Sequence, residues 1–305
     1  MASGSSVEMP ESVFDKFMSK NPEEIVKFYD LFSDRNELIQ WIKSVPKSSP
    51  LVNFSGDRES EIAVVIPTPT VNHPLALNCQ NDVFKGLKLI FSVDNSPLFN
   101  LSRSYNIGGK ALVHDQNIRW VIFSNVDMIR IEQSTKIASE LNKLKNGIKF
   151  CYAKEDGSHS YRIRIGEYTI LRRAAFRLSG NTRRLRTSLE NKFSIHLNAE
   201  EQKHLLTRSF VTNKKSILNF GDFFIFSVDL LKQYRFMPFD ETYLNGMEDI
   251  DLSFKLLHDL DNDQVKGIDY RIGSMESGVR GRDLNRVLRS IPSLAYFNEI
   301  MEKYI

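Results

Sequence analysis

Adjacent carboxylates at Glu248-Asp249 are the first feature of this chain that could do chemistry. A carboxylate beside an attacking group can take its proton, which is general-base work. Asp127 closes the run Ser124-Asn125-Val126-Asp127 and offers hard oxygen to a divalent cation. Asp94, in Asp94-Asn95-Ser96, offers acceptors to hydroxyl or ring N–H groups. The stretch 271–286 alternates Gly273, Gly278 and Gly281 with Arg271, Arg280, Arg282 and Arg286. Its glycines make it pliable and its arginines seek anions. Between Tyr161 and Glu190 lie Arg162, Arg164, Arg172, Arg173, Arg177, Arg183, Arg184 and Arg186. Each group also has an ordinary reading. Asp94 and Asp127 suit turns after strands, Glu248-Asp249 suits a helix start, and the arginine segments suit a solvated loop and a solvated helix face.

The elements that would carry these residues follow from periodicity. Ile62-Ala63-Val64-Val65-Ile66 is a continuous β-branched run ended by Pro67-Thr68-Pro69, the pattern of a strand buried on both faces. Leu87 to Val93 is a second such run and Trp120 to Phe123 a third. Helix-compatible stretches over 102–113 and 131–145 follow the second and third runs. Strands alternating with helices predict a mostly parallel open α/β sheet, which binds ligands beyond the carboxyl ends of its strands. Those ends carry Thr68, Asp94 and Asp127. Residues 11–45 read as short helices, with Asn21-Pro22-Glu23-Glu24 as a helix start. Residues 46–60, rich in Pro and Ser, read as a linker. Phe150–Ala153 and Tyr161–Ile165 suggest a hairpin, 168–210 basic helices, Phe223–Val228 a strand and 249–259 a helix. The expected division is a tail and helical extension over 1–58 and one α/β domain over 59–305. Met247 and Tyr243 are expected to pack and His258 to be structural.

Composition narrows the class. Hydrophobic residues make up 41% and charged residues 26%, enough for a core and for solubility. A net charge of +3 is too small to argue for nucleic acid, and few aromatics interleave the arginines of 161–190. Cys79 and Cys151 are far apart and lack metal-ligand spacing, which leans towards a reducing compartment. No stretch approaches the roughly 18 apolar residues of a membrane span, and the start of the chain lacks the pattern of a signal peptide. The expected location is the cytoplasm, or a membrane periphery reached through 161–190.

Five segments, in order, resemble the inverting GT-A-fold glycosyltransferases, especially family 2. IAVVIPTPT resembles the opening strand and its turn, and FSVDNS the second strand with its base-binding Asp. SRSYNIGGKAL resembles the "ARN-x-G-x-x-x-A" helix, WVIFSNVDMI the strand with the D-x-D motif, and FMPFDETYLNGMEDIDLSFKL the "F-D-E … E-D-x-D-L" segment. The resemblance covers about residues 60–258 and implies a GT-A-like, Rossmann-type sheet. It implies a nucleotide-sugar donor, most simply a UDP-sugar, and a hexosyltransferase-like, inverting transfer to a hydroxyl of a glycan or lipid-linked acceptor. On the donor side it implies Pro67, Thr68 and Asp94 beside the nucleoside, Arg103 near a phosphate, Asn106 facing the nucleotide, and Asn125 and Asp127 at the D-x-D position. Asp127 would touch a divalent cation, Mn2+ or Mg2+. Asp249 would be the base, kept ionised by the helix N-terminus, and Glu248 would bind an acceptor hydroxyl. Arg280 or Arg282 could clamp the diphosphate from a lid. Two departures put metal dependence in question: Asn125 replaces the first Asp of the motif, and no His follows His258.

Two rivals compete. A nucleotidyltransferase would need a glycine-rich, basic loop after the first strand, and PTPTVNHPLALNCQND contains no Gly, Lys or Arg. A degenerate transferase kept as a binding module is favoured by Asn125 and opposed by the intact Glu248-Asp249.

Overall fold

Ile62–Thr68 (β2) is buried along its whole length, as an apolar run without polar alternation requires. Ile62, Val64 and Ile66 point into one core, with Leu89, Phe91, Ile122 and Ile225. Ala63 and Val65 point into another, with Ile90, Tyr105, Phe123 and Phe224. These relations come from a computed structural model, which describes residues 11–153, 161–164, 180–195, 216–219, 223–275 and 284–302.

β2 is central in a mixed, mostly parallel seven-stranded sheet with Leu51–Gly56 (β1), Lys88–Val93 (β3), Trp120–Ser124 (β4), Phe150–Ala153 (β6), Phe223–Ser227 (β9) and Val265–Ile268 (β10). The order is β1-β3-β2-β4-β9-β6-β10. β2 is parallel to β3 and β4, and β6 to β10; β1 and β9 run antiparallel to their neighbours. Helices Pro74–Asn78 (α4) and Ser134–Asn142 (α6) cover the face of Val64, while Leu101–Lys110 (α5), Val228–Gln233 (α8) and Glu248–Asp259 (α9) cover the face of Val65. Asn100 caps α5 by accepting from the Arg103 amide at 2.8 Å. Gly108 lets α5 lie close on β2, since a Cβ there would stand 2.3 Å from Val65 Cγ1. Met128–Arg130 (β5) and Ile272–Ser274 (β11) form a two-stranded ribbon.

A third core is helical. Glu11–Met18 (α1), Pro22–Tyr29 (α2) and Arg35–Ser44 (α3) start where the sequence offers caps: Asn21 accepts from the Glu23 amide and Asp34 from the Glu37 amide. Their apolar faces meet Leu284–Arg289 (α10), Ile291–Glu302 (α11) and the end of Gly180–Lys192 (α7). Phe28 and Trp41 stack edge-on at 4.5 Å. Met247 and Ile250, at the start of α9, belong to this same core. Among the described residues no helix is long and apolar enough to cross a membrane.

Two expectations are corrected. Residues 46–60 are not simply a linker, because Leu51–Gly56 pairs along the whole of β3 as the sheet's edge. An edge strand needs little burial, so Leu51 and Phe54 stay exposed and the segment does not read as a core strand. Nor do Phe150–Ala153 and Tyr161–Arg164 (β7) form a hairpin. β6 sits between β9 and β10, where its buried side chains are covered, and β7 pairs with Ser216–Asn219 (β8).

Candidate active site at the carboxyl edge

In the parallel register Val93 is level with Thr68, and Phe123 with Val65. Asp94, Thr68 and Asn125 therefore leave the sheet along one edge. From there β2 leads to β3 on one side, while β4 leads to β6 on the other. Divergent connections of this kind open the crevice in which open α/β sheets hold ligands.

Asp94 is buried, and its two oxygens differ. Oδ1 accepts from the Ser96 amide at 2.9 Å, an Asx turn, whereas Oδ2 is buried without a partner, as are Ser92 Oγ and Ser96 Oγ. Unpaired buried polar atoms are rare in folded proteins, and here they gather at the end of β3. Asp127 likewise has an unpartnered buried Oδ1, and its carbonyl accepts from the Met275 amide at 2.8 Å, tying the strand end to the β5–β11 ribbon. Thr68 Oγ1 donates to the Thr70 carbonyl at 2.9 Å, and Pro67 lies in β2 opposite Ser92. Asn125 Oδ1 already accepts from Tyr105 at 2.7 Å, so the oxygen expected to meet a ribose hydroxyl has a protein donor.

Arg103 and Asn106 do not stand open to a nucleotide. Arg103 donates through Nη1 to Glu241 at 2.7 Å and through Nε to the Ser48 carbonyl. Asn106 donates to the Phe239 carbonyl at 2.8 Å and to Glu241 at 3.0 Å, and accepts from the Phe239 amide. Both residues grip the chain segment 239–241. Glu241 was the missing partner, and the spacing of Arg103 and Asn106 on one helix face was the signal for it. Arg280 and Arg282 lie outside the described residues, as do residues 165–179 of the basic stretch.

Glu248 and Asp249 open α9. Gly246 and Met247, just before them, are both left-handed, with φ of +90° and +78°. For Met this costs about 1–2 kcal/mol, the kind of strain that collects at functional sites. The N-cap is Met247, not Asp249. Asp249 sits inside the first turn, where Oδ1 accepts from the Ile250 amide at 2.9 Å. Asn100, in the loop after Asp94, donates to the Tyr243 carbonyl at 2.9 Å, so the chain leading into α9 starts beside the sheet's carboxyl edge. Burial, and next the charge of Glu248, push the Asp249 carboxyl up to about 7; burial raises Glu248 too. Arg286, from α10, works against both shifts, as do nearby backbone hydrogen bonds. At this half-buried position the helix N-terminus favours the ion, whereas burial and the charge of Glu248 oppose it. Among the described residues Arg286 is the arginine that acts on the pair.

The neighbouring carboxylates are committed elsewhere. Burial alone would raise Asp240, but hydrogen bonds from the Thr242 amide and Tyr296 hold it below its ordinary value. Asp251 pairs with Lys255 at 2.7 Å. Tyr243 and Met247 pack, as expected, and His258 stands exposed 2.9 Å from Asp259. Among the described residues no group of three or more His, Cys, Asp or Glu side chains is placed to hold a metal ion. A cavity of about 550 Å3 lies at the opposite, amino edge, by Trp120, Ser227 and Asp229, far from these carboxylates along the strands. Comparisons with protein-family models, known proteins and solved structures return no match.

Proposed function

We propose that the chain is a glycosyltransferase that binds a nucleotide sugar at the carboxyl edge and passes the sugar, with inversion, to an acceptor hydroxyl. The observation that supports this reading is the pair of partly unsatisfied carboxylates at the strand ends, Asp94 and Asp127, with an acidic pair further along the chain whose Asp249 is pushed up to about 7. A base is most useful when its proton affinity lies near the working pH. The mostly parallel sheet also supports a GT-A-like, Rossmann-type fold.

Asp94 Oδ2 accepts from the nucleoside, with Thr68 and Pro67 shaping its bed through the backbone. In this reading Asp127 serves the diphosphate side. Its missing partner fits a divalent cation, Mn2+ or Mg2+, whose remaining ligands would be diphosphate and water oxygens; such an ion would neutralise the charge of the departing diphosphate. On the acceptor side, Asp249 takes the hydroxyl proton as that oxygen bonds to the anomeric carbon. The bond from carbon to diphosphate breaks, and the nucleoside diphosphate leaves with its electron pair. Glu248 holds the acceptor, and Arg286 keeps part of the pair charged.

The test is a panel of nucleotide sugars, UDP-sugars first, with release of free nucleoside diphosphate as the readout. Melting is followed in parallel with the diphosphates alone. A cognate diphosphate raises the melting temperature, since it binds the native state, and its sugar donor is turned over. Stabilisation without turnover of any donor, with acceptors of glycan and lipid-linked type present, would instead favour a binding module. No stabilisation by any diphosphate would remove the donor site altogether.

A further inference from the structure

We propose that Glu241 is a positioning residue, the clamp that fixes the start of α9 relative to the carboxyl edge. The proposal rests on reading Glu248–Asp249 as the acceptor-side pair. Residues 239–243 lie along α5, the helix that follows β3 and Asp94. Glu241 uses both carboxylate oxygens on that helix: Oε1 accepts from Asn106 at 3.0 Å and Oε2 from Arg103 at 2.7 Å. Its own carbonyl accepts from Asn100 at 2.9 Å and from Lys47 at 2.6 Å. Asn100 also holds the Tyr243 carbonyl at 2.9 Å. One side chain thus gathers donors from two turns of α5, while its backbone is pinned by the segment that links the helical core to the sheet.

The position matters because the acidic pair comes soon after it in the chain. From Glu241 the backbone reaches Glu248 through a short stretch that ends in the left-handed Gly246 and Met247. A strained turn keeps its geometry only when both flanks are held. Burial of Met247 and Ile250 in the helical core holds the far flank; on the near flank Ser293 Oγ accepts from the Leu244 and Asn245 amides at 3.3 Å, and Glu241 ties the start of the stretch to α5. The ion pair is only 26% and 24% exposed, so it is neither freely solvated nor easily replaced by water. Arg103 presents Nε to the Ser48 carbonyl and Nη1 to Glu241 at once, a fork that lysine cannot reproduce.

Glu241→Gln tests this while keeping the shape and one acceptor. A misplacement of about 1 Å near reacting groups can cost roughly 10²-fold in rate. Glu241→Gln should therefore lower kcat by up to about that factor and leave nucleoside-diphosphate affinity within a few-fold. Glu241→Asp, which keeps the charge but shortens the reach, should rescue part of the loss. Arg103→Lys should reproduce the defect in milder form, and it serves if Glu241→Gln does not fold. A second readout needs no turnover: the carbon-13 carboxyl signals of Glu248 and Asp249, and hydrogen exchange of residues 244–250. Both should change in Glu241→Gln, with exchange elsewhere in α5 and the sheet unchanged. Unchanged carboxyl signals and exchange would overturn the positioning role, whatever the enzyme does. If the wild-type chain transfers no sugar, the functional reading fails alone, and the carboxyl signals still decide the role of Glu241.

Discussion

Asp249 is where one side chain has two jobs that a single substitution can separate. As a first-turn residue it accepts from the Ile250 amide, which the amide oxygen of Asn can also do. As a base it must take a proton, which Asn cannot do. Asp249→Asn should thus cost about 10²–10⁴-fold in transfer rate at saturating donor, with donor affinity almost unchanged. A folded variant working within a few-fold of wild type would move the base elsewhere. Stability should move the other way. A carboxyl whose folded value is raised binds its proton more tightly in the native state. Its stabilising contribution is therefore complete below its ordinary value near 3.8 and is lost as pH rises through about 7. Asp249→Asn should accordingly gain melting temperature over wild type above pH 7, and the gain should shrink towards pH 4. The rate of the wild type should climb through the same window as the base ionises. A stability difference that does not vary with pH would show that Asp249 is not perturbed. On the donor side, Asp127→Ala should abolish transfer and weaken nucleoside-diphosphate binding. Turnover at the wild-type rate would sink that assignment. Persistence of wild-type turnover in a chelator, with Asp127→Ala inactive, would leave Asp127 a direct polar role and remove the cation.

The element that decides the site is α5. It carries the residues that hold segment 239–243, and it lies against β2 only because Gly108 has no side chain. Gly108→Ala puts a Cβ 2.3 Å from Val65 Cγ1. In a close-packed core such overpacking costs about 1–3 kcal/mol, since alanine's better helix propensity returns only about 1 kcal/mol. The urea midpoint should fall, and hydrogen exchange over 239–249 should rise with it, because Asn100, Arg103 and Asn106 move together. A variant as stable as wild type, with unchanged exchange, would show that α5 has room to spare.

At the scale of the whole molecule, the N-terminal helices are not an appendage. Tyr29 donates to the Leu288 carbonyl, and Arg289 donates to the carbonyls of Phe17, Met18 and Ser19. Their core continues into Met247, Ile250 and Phe254 of α9. Extension, carboxy-terminal helices and site should therefore unfold together. The two tryptophans report on this directly, Trp41 from the helical core and Trp120 from the sheet. In single-tryptophan variants Trp41→Phe and Trp120→Phe, fluorescence and far-ultraviolet circular dichroism should give one midpoint for each protein. A separate, earlier transition seen by Trp41 alone would make the extension an independent unit.

The local part of this architecture was legible from the chain alone. Continuous apolar runs at 62–66, 87–93 and 120–123 must be covered on both faces, so they determined the central strands. The polar residues that end them determined that Thr68, Asp94 and Asp127 share an edge. Caps such as Asn21 act over three or four residues and were equally readable. What depended on distant neighbours was not. Leu51–Gly56 is a strand because β3 has a free edge, and Phe150–Ala153 chose β9 and β10 over its near neighbour in sequence. Arg103 and Asn106 had the right types for a phosphate or a base, but Glu241, 138 and 135 residues further on, claims them. For Asp249 the sequence offers a helix N-terminus, which favours the ion. Only tertiary packing supplies the burial and fixes how close Arg286 comes, and that burial opposes the ion which the helix end favours.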